Sequence, residues 1–398
     1  MEITLKKNDK KIAGIIEVPS DKSITHRAVM LSCLAEGVSL VKNYLAGADC
    51  LRTVAAFRQM GAQIREDGAN LYIKGCGLKL QKPQNQIYAG NSGTTARLLS
   101  GILAGQNFDS VIAGDPSLSK RPMQRVIDPL LQMGAAINSN GGLLPLSIKG
   151  ASAPLKAITY SSSKSSAQVK SAVLFAGLYA DGATVYAEPV KSRDHSERML
   201  SFYGAKIEVN ANAVTVYPAQ KLYPREISVP GDISSAAFFI AAALITPGSN
   251  LTIKNVNLNP TRDGFIEVLI KMGALIWLEN PREVSGEPVV DINVKYSKLK
   301  PVNIDSSIIP RMIDEIPIFA LIAARAQGVT KITGAAELRV KESDRISAIA
   351  SQFVKMGAQI EELEDGLIIS GSENFTAASS TVDSFEDHRI AMTLAVAS

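Results

Sequence analysis

Gly231-Asp232-Ile233-Ser234-Ser235-Ala236-Ala237-Phe238-Phe239-Ile240-Ala241-Ala242-Ala243-Leu244-Ile245-Thr246-Pro247-Gly248 is a polar opening, then a helix-length run of small apolar residues closed by glycine. The phrase recurs at Ser20–Gly37, Asn91–Gly105, Ser163–Gly182 and Asp314–Gly328, and begins again at Asp387–Ser398. The closing glycines 37, 105, 182, 248 and 328 lie 68, 77, 66 and 80 residues apart. A second series interleaves with the first. Amphipathic segments run into Met60-Gly61-Ala62, Met133-Gly134-Ala135, Tyr203-Gly204-Ala205, Met272-Gly273-Ala274 and Met356-Gly357-Ala358. The chain is therefore a repeat of about 70 residues, each unit holding one buried helix, one half-exposed helix and strands between them. Helix N-termini carry partial positive charge and unpaired N–H groups, so converging polar openings predict a negatively charged ligand.

Working outward, Val18-Pro19-Ser20-Asp21 echoes Val229-Pro230-Gly231-Asp232 three units later, each with a strand-ending proline before a capping aspartate. They read as neighbouring strands that pass between domains. One domain is then 20–230, with three units; the other is discontinuous, 1–19 plus 231–398. β-branched content and alternation predict strands at Ile3–Leu5, Leu71–Ile73, Leu146–Ile148, Ala213–Tyr217, Leu251–Ile253, Val290–Val294 and Leu367–Ile369. The expected class is α/β (α+β). Asp387–Ser398 reads as the first helix of a sixth unit left incomplete. On that reading the discontinuous domain has two complete units and a truncated third, and this length of chain is less stable and less active than one extended by about 30 residues.

Composition narrows the function classes. Lys and Arg total 42 against 38 Asp and Glu, a net charge of +4 without basic blocks. That is too little charge for a nucleic-acid binder and suits a protein gathering a few cations around a small anion. Cys33, Cys50 and Cys76 have no CxxC spacing, and His26, His195 and His388 lie far apart. A disulfide framework or zinc site is not expected, and no cofactor is implied. The longest apolar run, Ala236–Ile245, falls short of the roughly 20 residues a bilayer span needs. No signal character marks the N-terminus, so a cytoplasmic location is expected.

The chemistry sits at the openings, and each of them also reads as a plain helix cap. Lys22 and Ser23 open the first helix with Arg27 one turn on; cations there oppose the dipole unless an anion bridges them. Asn91-Ser92-Gly93-Thr94-Thr95, followed by Arg97, lets a ligand approach backbone N–H groups at Gly93. Lys120-Arg121-Pro122 reads as an exposed loop or as a mobile one that closes over a phosphate. Ser165-Ser166-Ala167-Gln168 and Ser192-Arg193-Asp194 offer hydroxyls and an amide, or caps. Asp314-Glu315 complements the dipole or supplies a proton acceptor. In Glu337–Arg345, Lys341 and Arg345 are i, i+4 neighbours of a helix face with Glu342 beside Arg345. Asp387-His388-Arg389 adds a further arginine at a helix start.

Taken in order, Lys-Ser-x-x-x-Arg, Asn-x-Gly-Thr, Lys-Arg-Pro, Ser-Ala-Gln, Ser-Arg-Asp-His, Val-x-Gly-Asp-x-Ser-Ser-Ala, Val-Lys-Glu-Ser-Asp-Arg and Asp-His-Arg closely resemble the 5-enolpyruvylshikimate-3-phosphate (EPSP) synthase family over essentially all of 1–398. Ser166-Ala167-Gln168 and Asp314-Glu315-Ile316-Pro317 look like the branch found in many Gram-positive and some other bacteria. The resemblance implies the two-domain enolpyruvyl transferase fold, an inside-out α/β barrel of βαβαββ units. It implies transfer of the enolpyruvyl group of phosphoenolpyruvate to the 5-hydroxyl of shikimate 3-phosphate, with no cofactor, by a cytoplasmic monomer without membrane or nucleic-acid partners. By motif, Lys22 touches both substrates, while Ser23 and Arg27 hold the shikimate carboxylate. Ser166, Ala167 and Gln168 contact the shikimate phosphate and phosphoenolpyruvate, with Ser192 or Arg193 helping at that phosphate. Gly93, Arg121, Arg345 and Arg389 line the phosphoenolpyruvate site. Asp314 and Lys341 bracket the shikimate hydroxyls, Asp314 as base, and Glu342 is the acid at the methylene carbon.

Two departures stand out. Glu337 takes the place of an asparagine in other branches, and a further lysine beyond Asp-His-Arg has no counterpart. The rival reading is UDP-N-acetylglucosamine enolpyruvyl transferase, which usually has Asn after the first Lys and a cysteine in the mobile loop; Ser23 and the cysteine-free Ser117–Arg121 oppose it. A non-catalytic binder of phosphorylated ligands is the other alternative, opposed by Lys22, Asp314 and Glu342.

Overall fold

The computed structural model describes residues 3–6 and 10–398. Its repeating unit is plainest at 87–148. Strand Ile87–Tyr88, helix Gly93–Ala104, strand Ser110–Ala113, helix Gln124–Gln132 and the hairpin Ile137–Asn140 with Leu143–Ile148 follow in sequence. The first two strands are parallel because a helix carries the chain back across the sheet; the hairpin strand beside them runs antiparallel. Two further units repeat this order, Thr159–Ser161 to Ala213–Val216 and Asn303–Ile304 to Gly366–Gly371.

The remaining two sheets have the same strand order, but a distant segment supplies the first strand. Glu226–Ser228 pairs in parallel with Leu40–Lys42, and Ala13–Glu17 with Asn250–Lys254. Each of the two compact units is made of separate stretches of chain. The first unit comprises Met1–Pro19, Gly231–Arg282 and Pro288–Ser398; the second comprises Ser20–Pro230 and the hairpin turn Glu283–Glu287. Strand Ala13–Glu17 replaces the expected Ile3–Leu5. Ile3 and Leu5 are exposed and in no strand, whereas Ile12 and Ile16 pack against the core. The Val-Pro-x-Asp segments are extended rather than strands. In the first unit Asp232 N–H donates to Pro19 O (2.9 Å); in the second, Asp21 N–H donates to Pro230 O (2.8 Å).

The Gly-Ala breaks are one capping device used five times. Gly61, Gly134, Gly204, Gly273 and Gly357 have φ of 98°, 87°, 94°, 87° and 90°, a backbone that side chains resist. The following alanine N–H reaches back five residues, as in Ala62 to Phe57 O (3.1 Å) and Ala274 to Leu269 O (3.0 Å). The glycine N–H bonds the carbonyl three before it, completing a Schellman motif that ends the helix and aims the next strand.

The apolar runs form the buried helices. Helices Ile233–Ile245, Ile316–Arg325 and His388–Ala397 pack on one another within the first unit. In the second, helices Gly93–Ala104 and Ala167–Gly177 meet so closely that a Cβ on Gly101 would lie 2.1 Å from Ala172 O. At five of the six openings a side chain caps the helix: Asp21, Ser92, Ser166, Asp232 and Asp387 each accept a backbone N–H. At the sixth, Asp314 lies within a short 3-10 turn, and the helix that follows starts after Glu315, without a side-chain cap. Among the described residues no helix is long and apolar enough to cross a membrane.

Candidate active site

Two groups of the motif residues assemble, one in each compact unit. In the second unit Lys22 begins its helix directly after the Asp21 cap, and its ammonium lies 3.3 Å from Asp49 Oδ2. Ser23 is half-buried, and its carbonyl accepts from Arg27 Nη1 (3.0 Å). Arg27 is buried, donating from Nε to Ser196 Oγ and from Nη2 to Ser171 Oγ, both at 2.7 Å. Burial pulls its guanidinium down to about 10, with Glu197 and Asp21 working against that and Arg193 adding to it. Arg27 is thus a rigid cation held by hydroxyls and a carbonyl, a disposition suited to a planar carboxylate.

Around Gly93 the contacts come from three segments. Arg97, one turn on, donates from Nη1 to Gln168 Oε1 (2.7 Å) and from Nη2 to Pro122 O (3.1 Å). Gln168 in turn donates to Thr94 Oγ1 (3.1 Å), and Arg121 to Asn91 Oδ1 (2.7 Å). A Cβ on Gly93 would meet Arg97 Nη1 at 2.8 Å and Arg121 Nη1 at 3.7 Å. A missing side chain here is what keeps two guanidinium groups beside a helix N-terminus, an arrangement for an anion. Arg121 follows the short turn Leu118–Lys120, and its guanidinium reaches Asn91 from there.

Ser166 caps its helix, accepting from Val169 N (3.4 Å), with Ala167 first in the helix. Ser192 is buried and donates from both N and Oγ to Glu188 Oε1, each at 2.8 Å; Arg193 beside it is half-buried. Beneath these lies Lys170, its side chain 1% exposed, with Nζ 2.8 Å from both Glu188 Oε1 and Glu197 Oε1.

In the first unit the centre is Arg345. Nε donates to Asp387 Oδ2 (2.8 Å), Nη1 to Asp314 Oδ1 (3.2 Å) and Nη2 to Glu342 Oε2 (2.6 Å). Its side chain is 1% exposed, and burial acts to lower its pKa; the three carboxylates override that and raise it above the usual arginine value. Arg389 adds Nη1 to Asp314 O (3.2 Å) and Nη2 3.6 Å from Asp314 Oδ2. Asp314 therefore has a guanidinium at each carboxylate oxygen, while Lys341 and Glu342 stay half-buried.

Glu337–Arg345 is not the helical face its spacing predicts. A short 3-10 turn covers Ala336–Val340, bends follow, and the helix begins only at Arg345 under an Asp344 cap. Asp344 and Ser343 compete with the backbone for helix hydrogen bonds and favour caps, which ends the i, i+4 logic. Lys341 and Arg345 are therefore not on one helical turn. Asp49 and Glu188 join these groups although no motif singles them out. Arg97 had a signal, being four residues after Gly93 on the same helix face.

Residues 6–398 match the family model described as EPSP synthase (3-phosphoshikimate 1-carboxyvinyltransferase). The chain is 69% identical to the 3-phosphoshikimate 1-carboxyvinyltransferase of Endomicrobium trichonymphae, covering all of this chain and 93% of that one. It is 51% identical to that of Geobacillus kaustophilus, covering 98% and 92%. The solved EPSP synthase of Acinetobacter baumannii superimposes with a TM-score of 0.87 at 45% identity, covering 98% of this chain and 90% of that one. With the βαβαββ repeat and the full set of motifs in order, these likenesses have one meaning: the chain belongs to the EPSP synthase (3-phosphoshikimate 1-carboxyvinyltransferase) family.

Proposed function

We infer that this chain transfers the enolpyruvyl group of phosphoenolpyruvate to the 5-hydroxyl of shikimate 3-phosphate and releases phosphate, a step of the shikimate pathway. The observation that carries the chemistry is Arg345, which holds Asp314 and Glu342 on one guanidinium. Two carboxylates fixed at a single cation suit a reaction that needs one proton taken from a hydroxyl and another delivered to carbon.

In this reading Asp314 accepts the 5-hydroxyl proton as that oxygen bonds to C2 of phosphoenolpyruvate, and Glu342 protonates C3. Positive character grows at C2 and the nearby carboxylates stabilise it. The carbon–oxygen bond to phosphate then breaks, and Glu342 takes a proton back from the new methyl group. Lys22 meets both substrates, Ser23 and Arg27 hold the shikimate carboxylate, and Ser166, Ala167, Gln168 and Arg193 face its phosphate. Gly93, Arg121 and Arg389 receive phosphoenolpyruvate, and Lys341 the shikimate hydroxyls. Arg345 enters that site only by loosening one of its three carboxylates. The protein acts as a cytoplasmic monomer without a nucleic-acid partner, in keeping with its net charge of +4.

The test is phosphate release with both substrates present. Turnover only with the pair supports the reading. Turnover with UDP-N-acetylglucosamine in place of shikimate 3-phosphate, or none with any acceptor, overturns it.

A further inference from the structure

We propose that Glu188, braced by Lys170, is a positioning residue for the end of the site that takes the 3-phosphate, and that Ser192 is part of this brace and not a phosphate ligand. The proposal rests on the function inferred above. It begins from one carboxylate that collects four donors from two segments. Glu188 Oε1 accepts from Lys170 Nζ, Ser192 N and Ser192 Oγ, each at 2.8 Å, and Oε2 accepts from Ser166 N at 3.3 Å.

The local geometry explains why that carboxylate is there. Strand Thr184–Ala187 ends immediately before Glu188, and helix Ala167–Gly177 begins immediately after Ser166. These two ends lie side by side and are laced a second time: Ser165 Oγ donates to Val190 O (2.5 Å) and accepts from Val190 N (3.0 Å). Lys170, one turn into the helix, is the one charged residue of Ala167–Gly177 and would be costly to bury alone. Its ammonium is matched by Glu188, by Glu197 at 2.8 Å and by Ser192 O at 3.1 Å.

The direction of the hydrogen bonds carries the second half. A serine hydroxyl has one proton, and that of Ser192 goes to Glu188. Its outward face therefore offers lone pairs, which a phosphate repels. Ser166 is the reverse: its Oγ accepts from Val169 N, leaving its proton to be donated outward. Ser166 and the Arg193 cation are then the groups that meet the phosphate, and Glu188 fixes the spacing between them. An anionic brace beneath an anion site is tolerable because Lys170 balances it.

The measurement is the affinity that the 3-phosphate adds, obtained by calorimetric titration of shikimate 3-phosphate and of shikimate into the intact chain. Glu188→Gln keeps the size but loses the charge and puts an N–H where Ser166 or Ser192 donates. It should reduce the phosphate increment about tenfold while shikimate itself binds within about twofold of the unmodified chain. Ser166→Ala should cut the increment about tenfold and Ser192→Ala less than threefold, hydrogen bonds to charged groups being the stronger kind. Glu188→Asp, which keeps the charge but not the reach to both serines, gives an intermediate loss and guards against a Gln variant that does not fold. An increment unchanged in both Glu188 variants, or larger losses from Ser192→Ala than from Ser166→Ala, overturns the proposal alone. An unmodified chain that binds the two ligands equally overturns both the proposal and the function it rests on.

Discussion

Glu342 Oε2 stands 2.6 Å from Arg345 Nη2, three residues away in sequence yet across a bend and not along a helix. The carboxylate is aimed by a guanidinium that two aspartates hold in place. Glu342→Gln keeps the shape and removes the proton carrier. Turnover should fall by about 10²–10⁴-fold with Michaelis constants little changed, since general acid–base groups contribute that much. A variant whose main defect is a raised Michaelis constant would show that Glu342 binds substrate instead.

Arg27→Ala should have the opposite signature. The buried guanidinium spans the Ser23 carbonyl and the Ser171 and Ser196 hydroxyls, so its loss takes a charged donor from two buried oxygens that keep only each other and Ala167 O, and removes a cation from the shikimate end. The Michaelis constant for shikimate 3-phosphate should rise at least tenfold, with stability lower by about 1–3 kcal/mol. Steady-state kinetics and a denaturant curve measure the two effects separately. A fall in kcat alone contradicts the assignment.

Gly93→Ala tests the space beside Arg97 and Arg121. The added methyl would sit 2.8 Å from Arg97 Nη1, the far end of a flexible side chain, so the chain should fold and the guanidinium should shift off Gln168. Glyphosate, which binds this family in the phosphoenolpyruvate site, should weaken more than phosphoenolpyruvate. Inhibition constants and Michaelis constants compared across the substitution decide it; equal losses defeat the pocket argument.

His26 gives a pH signature. It is wholly buried, with Nδ1 2.7 Å from Thr53 Oγ1, and burial, then Lys22 and Arg27, hold its pKa well below 6.5. Below pH 6.5 the unfolded chain takes up a proton that the folded chain refuses. The stability from neutral His26 is therefore complete above 6.5 and lost as pH falls beneath it. Unfolding free energies from pH 7.5 to 5 should show this slope, and His26→Asn should flatten it. An unchanged slope assigns the acid sensitivity elsewhere.

Gly273→Ala isolates backbone strain. A Cβ there would touch nothing within 4 Å, but φ is +87°. The cost should be about 1–2 kcal/mol from the left-handed backbone alone. Gly204→Ala, whose Cβ would also press on Tyr223 at 2.7 Å, should cost more. A neutral Gly273→Ala in chemical denaturation would remove the Schellman argument.

The repeat was legible because its punctuation is local. A glycine in left-handed backbone and an aspartate at a helix start act within six residues of themselves, so Gly273 and Asp232 announce their roles without the rest of the chain. Long-range choices were not. Ile3–Leu5 alternates as well as Ala13–Glu17 does, and only pairing with Asn250–Lys254 selects the latter. Lys341 and Arg345 have helical spacing, but Asp344 takes the cap and the helix starts behind it. Glu188 carried no signal at all. A lone carboxylate after a strand acquires meaning only when Lys170, Ser166 and Ser192 arrive from elsewhere.

The exchange of first strands also sets a timetable. Ala13 finds its partner in Asn250, so the earliest strand to leave the ribosome waits for some 237 further residues. At about 5–20 residues per second that delay is roughly 10–50 s, during which a parallel edge is unpaired in the nascent chain. Glu226–Ser228, made last in its sheet, meets a partner already waiting at Leu40–Lys42. The segment containing Gly231–Arg282 must therefore be synthesised before its own first strand can dock, and vectorial synthesis favours completion of the Ser20–Pro230 body first.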